Sequence, residues 1–298
     1  MSPHMGQPRP TAAASHPSRG AARSGGVADA TYRCTLAAFA LALAASLSGL
    51  LIDGVYAGAA STAEMFRGYD LVTAVAVGLG LVVVSRPARL ASARARLATT
   101  GLAAYLVYTY AYYLFGTGFN GLFLLHVGAF VTAAAALVLH LTDLDLSSVE
   151  DLFGVLPRVR AVAGILGGLA VALGGMWVYL AVDNAVTGET PAGSRLVETE
   201  TVVHLGMALD LTLLVPLYTA AAVLLLRRAR WGYVLAAVAL FAGILHQVGY
   251  IVAMPFQVAA DIPGAVAYDP GEPVIVLLYL IAAGLLLVQT RRRSGEAS

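Results

Sequence analysis

The sequence predicts an all-α membrane protein, a polytopic bundle of eight transmembrane helices. Of its 298 residues, 59% are hydrophobic and only 12% are charged, whereas soluble domains carry about 25% charged residues. Eight stretches come close to the roughly 20 apolar residues that cross a hydrocarbon layer about 30 Å thick. Arginine is concentrated in alternate connections between these stretches, as expected where an even number of helices crosses a bilayer.

The eight stretches follow one another along the chain, and we expect the short second and last ones to extend into their flanking loops. They cover about 34–52, 71–85, 97–115, 121–141, 161–182, 203–226, 231–254 and 274–289. Residues 1–31 have almost no large apolar side chains, which predicts a disordered cytoplasmic tail. Residues 32–290 then form the transmembrane domain, and residues 291–298 form a basic cytoplasmic tail.

The placement of charge predicts the orientation, because cytoplasmic loops collect arginine and lysine. All 18 basic residues are arginine, and sixteen of them lie in residues 1–33, 86–96, 142–160, 227–230 and 291–298. Ten of the 17 acidic residues, Asp70 among them, fall in the opposite connections. This pattern predicts a multi-pass protein of the cell membrane with both termini in the cytoplasm.

One cytoplasmic connection, residues 142–160, carries a helix signal of its own. Ser147 and Glu150 have the S-x-x-E spacing of a capping box, and the apolar pair Leu152 and Phe153 follows them. We therefore expect a short helix at the membrane surface before the fifth span.

The composition limits the chemistry that the chain can perform. The absence of lysine excludes a Schiff base and a P-loop phosphate clamp, and the single cysteine, Cys34, excludes an internal disulfide or a C-x-x-C centre. No nucleophile elbow, H-E-x-x-H, Walker or Rossmann pattern is present. We predict no metal, no cofactor and no nucleic-acid partner, and an enzyme is not favoured. The expected partners are the lipid bilayer and a small ligand or ion.

Asp210 is the one acid that this topology does not explain, because it lies inside the sixth span. A charged aspartate at a helix centre costs about 2.5–3.5 kcal/mol on insertion scales, so such residues face a protein interior or a watery cavity. Pro216 follows on the same helix and removes the donor for the carbonyl of Thr212, which predicts a kink next to Asp210. The carboxyl group is either a cation, proton or ligand site, or an interface group hydrogen-bonded to a neighbouring helix.

Several other polar side chains are expected at a similar depth, in the outer half of the bundle. The candidate ligand- or ion-binding residues are Asp210, His126, His246, Tyr108, Tyr112 and Asn120. Asp210 would carry the charge or proton, and a histidine would be its titrating partner. Two alternatives remain open. One is a membrane-embedded enzyme or single-haem protein that uses His126 and His246, and the other is a non-catalytic assembly or scaffold protein.

The fifth span contains glycines at a spacing that allows close helix contact. Gly164 and Gly168 form a small-xxx-small pair, and Gly175 lies on a similar face. We expect this face either in the middle of the bundle or at the contact of a homo-oligomer.

Two groups of motifs lie in residues 106–235. One is Tyr-Thr-Tyr-Ala-Tyr-Tyr at 108–113, followed by Phe115, Asn120, Phe123 and Leu124. The other is Asp-Leu-x4-Pro-Leu at 210–217, with Leu-Leu-Arg-Arg-Ala-Arg-Trp-Gly-Tyr at 225–233. This part of the chain resembles a group of multi-pass prokaryotic membrane proteins with no assigned activity. The resemblance implies the eight-helix topology and marks Asn120, Asp210 and Pro216, but it implies no specific function.

Overall fold

A computed structural model of the chain describes residues 19–86, 92–153, 158–191 and 194–293. Every regular element in these residues is a helix, as expected for apolar segments that must satisfy their own backbone hydrogen bonds. The helices are α1 (Arg19–Leu51), α2 (Ala60–Val84), α3 (Ala93–Phe115), α4 (Phe123–Thr142), α5 (Leu146–Phe153), α6 (Val159–Thr187), α7 (Glu200–Leu226), α8 (Arg230–Ala259) and α9 (Glu272–Arg293).

Six of these helices are long and apolar enough to cross a membrane. They are α2, α4, α6, α7, α8 and the segment Ala28–Leu51 of α1. In α9 the apolar segment is shorter, Glu272–Leu287, and α3 carries five tyrosines and two arginines that lower its hydropathy. The described residues therefore agree with a membrane-embedded helical protein.

Two helices begin more than ten residues earlier than the sequence predicts. The second stretch was expected from residue 71, but α2 already begins at Ala60. The prediction that Asp70 lies in an outer loop is therefore wrong, because Asp70 is inside α2. The preceding helix, α1, begins at Arg19, within the segment expected to be a disordered tail. Residues 1–18 of that tail lie outside the described residues.

The helices form two groups, each with its own apolar core. In the first group α1 packs on α2 and α4, and α3 packs on α4. Its core includes Phe39, Phe66 and Leu106. In the second group α6 packs on α7 and α9 around Leu166 and Leu225. Helix α8 contacts α2 and α3 on one side and α7 and α9 on the other, so it joins the two groups.

Glycines bring α8 close to the first group. A Cβ atom added to Gly68 of α2 would overlap the backbone of Ala253 in α8. One added to Gly101 of α3 would lie 2.7 Å from the Cβ atom of Phe241. Since side chains larger than hydrogen do not fit at these positions, α8 lies against the backbones of both α2 and α3.

The short helix α5 is present, but its cap differs from the predicted one. Asp145 accepts hydrogen bonds from the backbone N–H of Ser147 at 3.0 Å and from the hydroxyl of Ser148 at 2.6 Å. Asp145, rather than Ser147, is therefore the residue that satisfies the free N–H groups at the helix start. On the apolar side, Phe153 stacks on Tyr233 of α8 with the ring centres 5.6 Å apart.

The glycine face of α6 points away from the other helices of this chain. Among the described residues, no atom lies within 4 Å of the place where a Cβ atom would be added to Gly164, Gly168 or Gly175. In the described residues α6 packs mainly on α7 and α9, so it lies at the edge of the bundle. The alternative that places this face in the middle of the bundle is wrong.

Candidate functional site

A cavity of about 590 Å³ lies between the two helix groups, at the end of the bundle that the sequence predicts to be outside. Helices α2, α3, α6, α7, α8 and α9 all contribute to its wall. Ser194, Arg195 and Glu198 of the loop before α7 also line it, at the end that is called the mouth below. Helix α8 contacts both groups and therefore runs along the cavity that lies between them.

Asp210 lies in the wall of this cavity and is only 8% exposed. It is ten residues from the first residue of α7, which is about 15 Å along the helix axis. The hydroxyl of Tyr108 on α3 donates to one carboxyl oxygen, and Nε1 of Trp177 on α6 donates to the other at 2.7 Å. The carboxyl group therefore connects three helices, two from the second group and one from the first.

Helix α7 widens into a π-helical turn at Asp210–Leu214. The N–H of Val215 donates to the carbonyl of Asp210, five residues back instead of four. Pro216 follows and has no N–H to offer to Thr212. The irregularity expected next to Asp210 is thus a π-helical turn, a feature that often occurs at functional sites.

His246 of α8 faces the same cavity and is surrounded by tyrosines. Its ring centre lies 4.8 Å from that of Tyr108, in an edge-on arrangement, and 5.6 Å from that of Tyr69. Tyr112 also lines the cavity, and its hydroxyl is 3.4 Å from that of Tyr108. Four of the six predicted site residues, Asp210, His246, Tyr108 and Tyr112, therefore come together.

The other two predicted site residues lie elsewhere. His126 is fully buried in the first group, where its ring packs 4.8 Å from that of Tyr113 and 5.6 Å from that of Tyr110. It does not line the cavity that His246 lines. Asn120 lies in the loop before α4, and its side chain accepts a hydrogen bond from the N–H of Leu122 at 2.9 Å. Asn120 thus has a role in the turn into α4.

A second buried carboxyl group, Asp70, was missed as a site candidate because its predicted place was a loop. It is 1% exposed and accepts hydrogen bonds from the hydroxyl groups of Tyr56 at 2.5 Å and Tyr113 at 3.0 Å. His126 stacks on Tyr56, with ring centres 6.2 Å apart. Because Tyr113 also lines the cavity, this cluster lies directly behind the cavity wall.

Two further residues of the site carry no signal in the sequence. Trp177 stands in an apolar run of α6, where nothing marks it as the donor to Asp210. Glu198 lies in the loop before α7, lines the cavity and accepts a hydrogen bond from the hydroxyl of Ser194 at 2.7 Å. Burial raises the pKa of Glu198 above its usual range.

The loop at the mouth is fastened by Gln257 of α8, which is 1% exposed. Its side-chain oxygen accepts from the N–H of Val197, and its nitrogen donates to the carbonyls of Val197 and Ser61, each at 2.9 Å. Nearby, Nε of Arg195 lies 3.8 Å from a carboxyl oxygen of Asp269. These contacts hold the loop over the cavity, next to α8 and to the start of α2.

Comparison of the chain with protein-family models, with curated proteins and with solved structures finds no match. This result is consistent with the sequence resemblance, which is to a group without an assigned activity.

Proposed function

We propose that the chain is an integral protein of the cell membrane that crosses the bilayer eight times, with both termini in the cytoplasm. The spans are α1, α2, α3, α4, α6, α7, α8 and α9. Helices α3 and α9 have 23 and 22 residues, or about 33–35 Å at 1.5 Å per residue, which is enough to cross a hydrocarbon layer about 30 Å thick. Most of α3 is buried among other helices, so its tyrosines need not meet lipid.

Cysteine labelling tests this topology. In a Cys34→Ser background, Ser148→Cys lies in the proposed inner connection and Thr190→Cys in the proposed outer loop. A membrane-impermeant maleimide added to intact cells is expected to label Thr190→Cys alone, and permeabilised cells are expected to label both. Labelling of Ser148→Cys in intact cells would show that the orientation is reversed.

We further propose that the protein binds or moves a small ligand or ion through the cavity, with Asp210 as its central polar group. The observation that carries this proposal is a buried carboxyl group in the wall of a cavity of about 590 Å³. Cavities of about 300–1,000 Å³ with a few convergent polar groups are typical ligand sites. Among the described residues, no arginine forms an ion pair with Asp210.

The test asks whether the cavity is reached from water. Leu173 lines the cavity halfway along α6, whereas Val171 on the same helix is 76% exposed on the outward side of the bundle. In the Cys34→Ser background, a small hydrophilic methanethiosulfonate added from outside is expected to modify Leu173→Cys and leave Val171→Cys intact, because only a hydrated thiol ionises and reacts. An unreactive Leu173→Cys would contradict the proposed function.

A second candidate role is a membrane assembly contact through the Gly164, Gly168 and Gly175 face of α6. The observation that favours it is the open space in front of all three glycines. Small residues let helix backbones approach closely in lipid, and a second copy of this chain would place the same face opposite.

A further inference from the structure

The charges that line the cavity are strongly one-sided. Four acidic residues contribute to its wall and mouth, Glu198, Asp210, Asp269 and Glu272. Arg195 is the only arginine among the lining residues that the structure describes, and its guanidinium lies near Asp269 at the mouth. A concave site lined by one sign of charge concentrates ligands of the opposite sign.

The wall of the cavity is also rich in aromatic side chains. Tyr69, Tyr112, Trp177, Tyr218, Tyr250 and Tyr279 all line it. Aromatic rings attract cations through their π-electrons, with tryptophan the strongest, and cages of such rings recognise quaternary ammonium groups. Trp177 is fixed beside the acid because its Nε1–H is bonded to Asp210 at 2.7 Å.

Between these polar and aromatic groups the wall is aliphatic, with Leu169, Leu173, Leu214 and Ile275. A volume of about 590 Å³ is far larger than a bare metal ion needs and lies in the range of organic ligands. The partners of the Asp210 carboxyl group are the neutral donors Tyr108 and Trp177, so its carboxylate form has no fixed counter-charge from an arginine among the described residues.

Resting on the proposed ligand-binding function, we infer that the ligand is a small organic cation, a protonated amine or a quaternary ammonium ion, bound beside Asp210 and Trp177. The cation supplies the counter-charge for Asp210, the aromatic rings contact its alkyl groups, and the acids at the mouth attract it from the outer side.

Trp177 provides a direct reporter. The chain has two tryptophans, and the other, Trp231, is 39% exposed at the start of α8. The Trp231→Phe protein therefore reports fluorescence from Trp177 alone. Three probes of similar shape differ in charge: choline is a cation, 3,3-dimethyl-1-butanol is its neutral counterpart, and 3,3-dimethylbutyrate is an anion. Each is titrated into the full-length protein in lipid nanodiscs.

We expect a saturable change in Trp177 fluorescence with choline, and at least tenfold weaker binding of the alcohol and the anion. Asp210→Asn is expected to weaken choline binding at least tenfold. Glu189→Gln, which removes a charge from an exposed residue of the outer loop, is expected to leave it unchanged. The comparison of the three probes uses only the Trp231→Phe protein. It therefore tests whether the ligand must be a cation even if the Asp210 variant does not fold.

Other outcomes separate the two proposals. If the alcohol or the anion binds as tightly as choline, or if choline gives no saturable response although Leu173→Cys is reactive, the organic-cation inference is wrong and the cavity remains a ligand site. If Leu173→Cys is unreactive and no probe binds, both proposals fail.

Discussion

The carboxyl group of Asp210 is satisfied by donors from two other helices, the hydroxyl of Tyr108 and the indole N–H of Trp177. A buried polar group that loses its partner costs about 1–3 kcal/mol. The hydrogen bonds at Asp210 thus stabilise the packing of α3, α6 and α7 as well as forming the cavity wall. Tyr108→Phe removes the hydroxyl and keeps the ring, whereas Trp177→Phe removes the indole N–H together with part of the ring system.

We expect Trp177→Phe to lower the free energy of unfolding by at least about 1–3 kcal/mol, because one oxygen of Asp210 then lacks its donor and the smaller ring loses buried packing contacts. Trp231→Phe is the matched control, since Trp231 is exposed and surface substitutions usually stay within about 0.5 kcal/mol. Chemical denaturation in mixed micelles measures both variants. Equal stability of the two would show that the Trp177–Asp210 bond contributes nothing.

The second buried acid, Asp70, depends on a glycine of α1. A Cβ atom on Gly49 would overlap the carboxyl group of Asp70 and the hydroxyl of Tyr56. We expect Gly49→Ala to destabilise the protein by about 1–3 kcal/mol, the usual cost of overpacking a core. Gly78→Ala in α2 meets no atom within 4 Å and is expected to be neutral or to stabilise by up to about 1 kcal/mol. Thermal unfolding measures the stability of both variants. A Gly49→Ala protein as stable as the wild type would contradict the prediction.

At the scale of the elements, the loop over the cavity is fixed to α8 by two side chains, Gln257 and Tyr250, whose hydroxyl accepts a hydrogen bond from the N–H of Arg195 at 2.8 Å. Gln257 makes three hydrogen bonds to Val197 and Ser61, so it fixes the loop to α8 and to the start of α2. Water can replace these bonds only if the loop moves outward. The loop position, and with it the access to the cavity, therefore depends on Gln257.

We predict that Gln257→Leu increases the rate at which Leu173→Cys reacts with a hydrophilic thiol reagent by severalfold, because the loop loses its hydrogen bonds to Gln257 and uncovers the mouth more often. Asn184→Ala is the control, since its side chain bonds to the carbonyl of Glu189 in an exposed turn and does not line the cavity. Stopped-flow or timed labelling measures the rate. An unchanged rate in Gln257→Leu would show that the loop does not limit access.

The positions of the helices could be predicted from sequence because lipid imposes both length and apolar composition. Polar residues at the start of α2, such as Glu64 and Arg67, lower the hydropathy of this segment, and for this reason the sequence predicts a loop at Asp70. Asp210 was found because its surroundings in sequence are apolar. The sequence places His126 at a similar depth, but it does not line the cavity, since depth along a helix does not determine which neighbouring helix a side chain meets. The role of Trp177 as the donor to Asp210 could not be predicted, because it depends entirely on which helices lie next to each other.

At the scale of the whole molecule, the two helix groups meet along α8 and leave the cavity between them. The two buried acids belong to different groups, yet both lie ten residues from the predicted outer ends of their helices. Tyr113 contacts Asp70 and also lines the cavity that contains Asp210. The two buried acids thus lie at a similar depth in the predicted outer half of the bundle, while the other half contains a different buried polar pair, Thr35 and His140, whose side chains are 2.8 Å apart.

The edge position of α6 leads to a prediction about assembly. Its glycine face is open in the single chain, and close backbone contact between helices in lipid favours such faces. We expect the protein to form a dimer in mild detergent and Gly168→Leu to shift it toward monomer, because a leucine keeps the two backbones apart. Gly78→Leu places the same side chain at another open helical glycine and should leave the dimer intact. Light scattering measures the mass of each variant. A wild-type monomer, or an equal loss of dimer in both variants, would exclude this face as the contact.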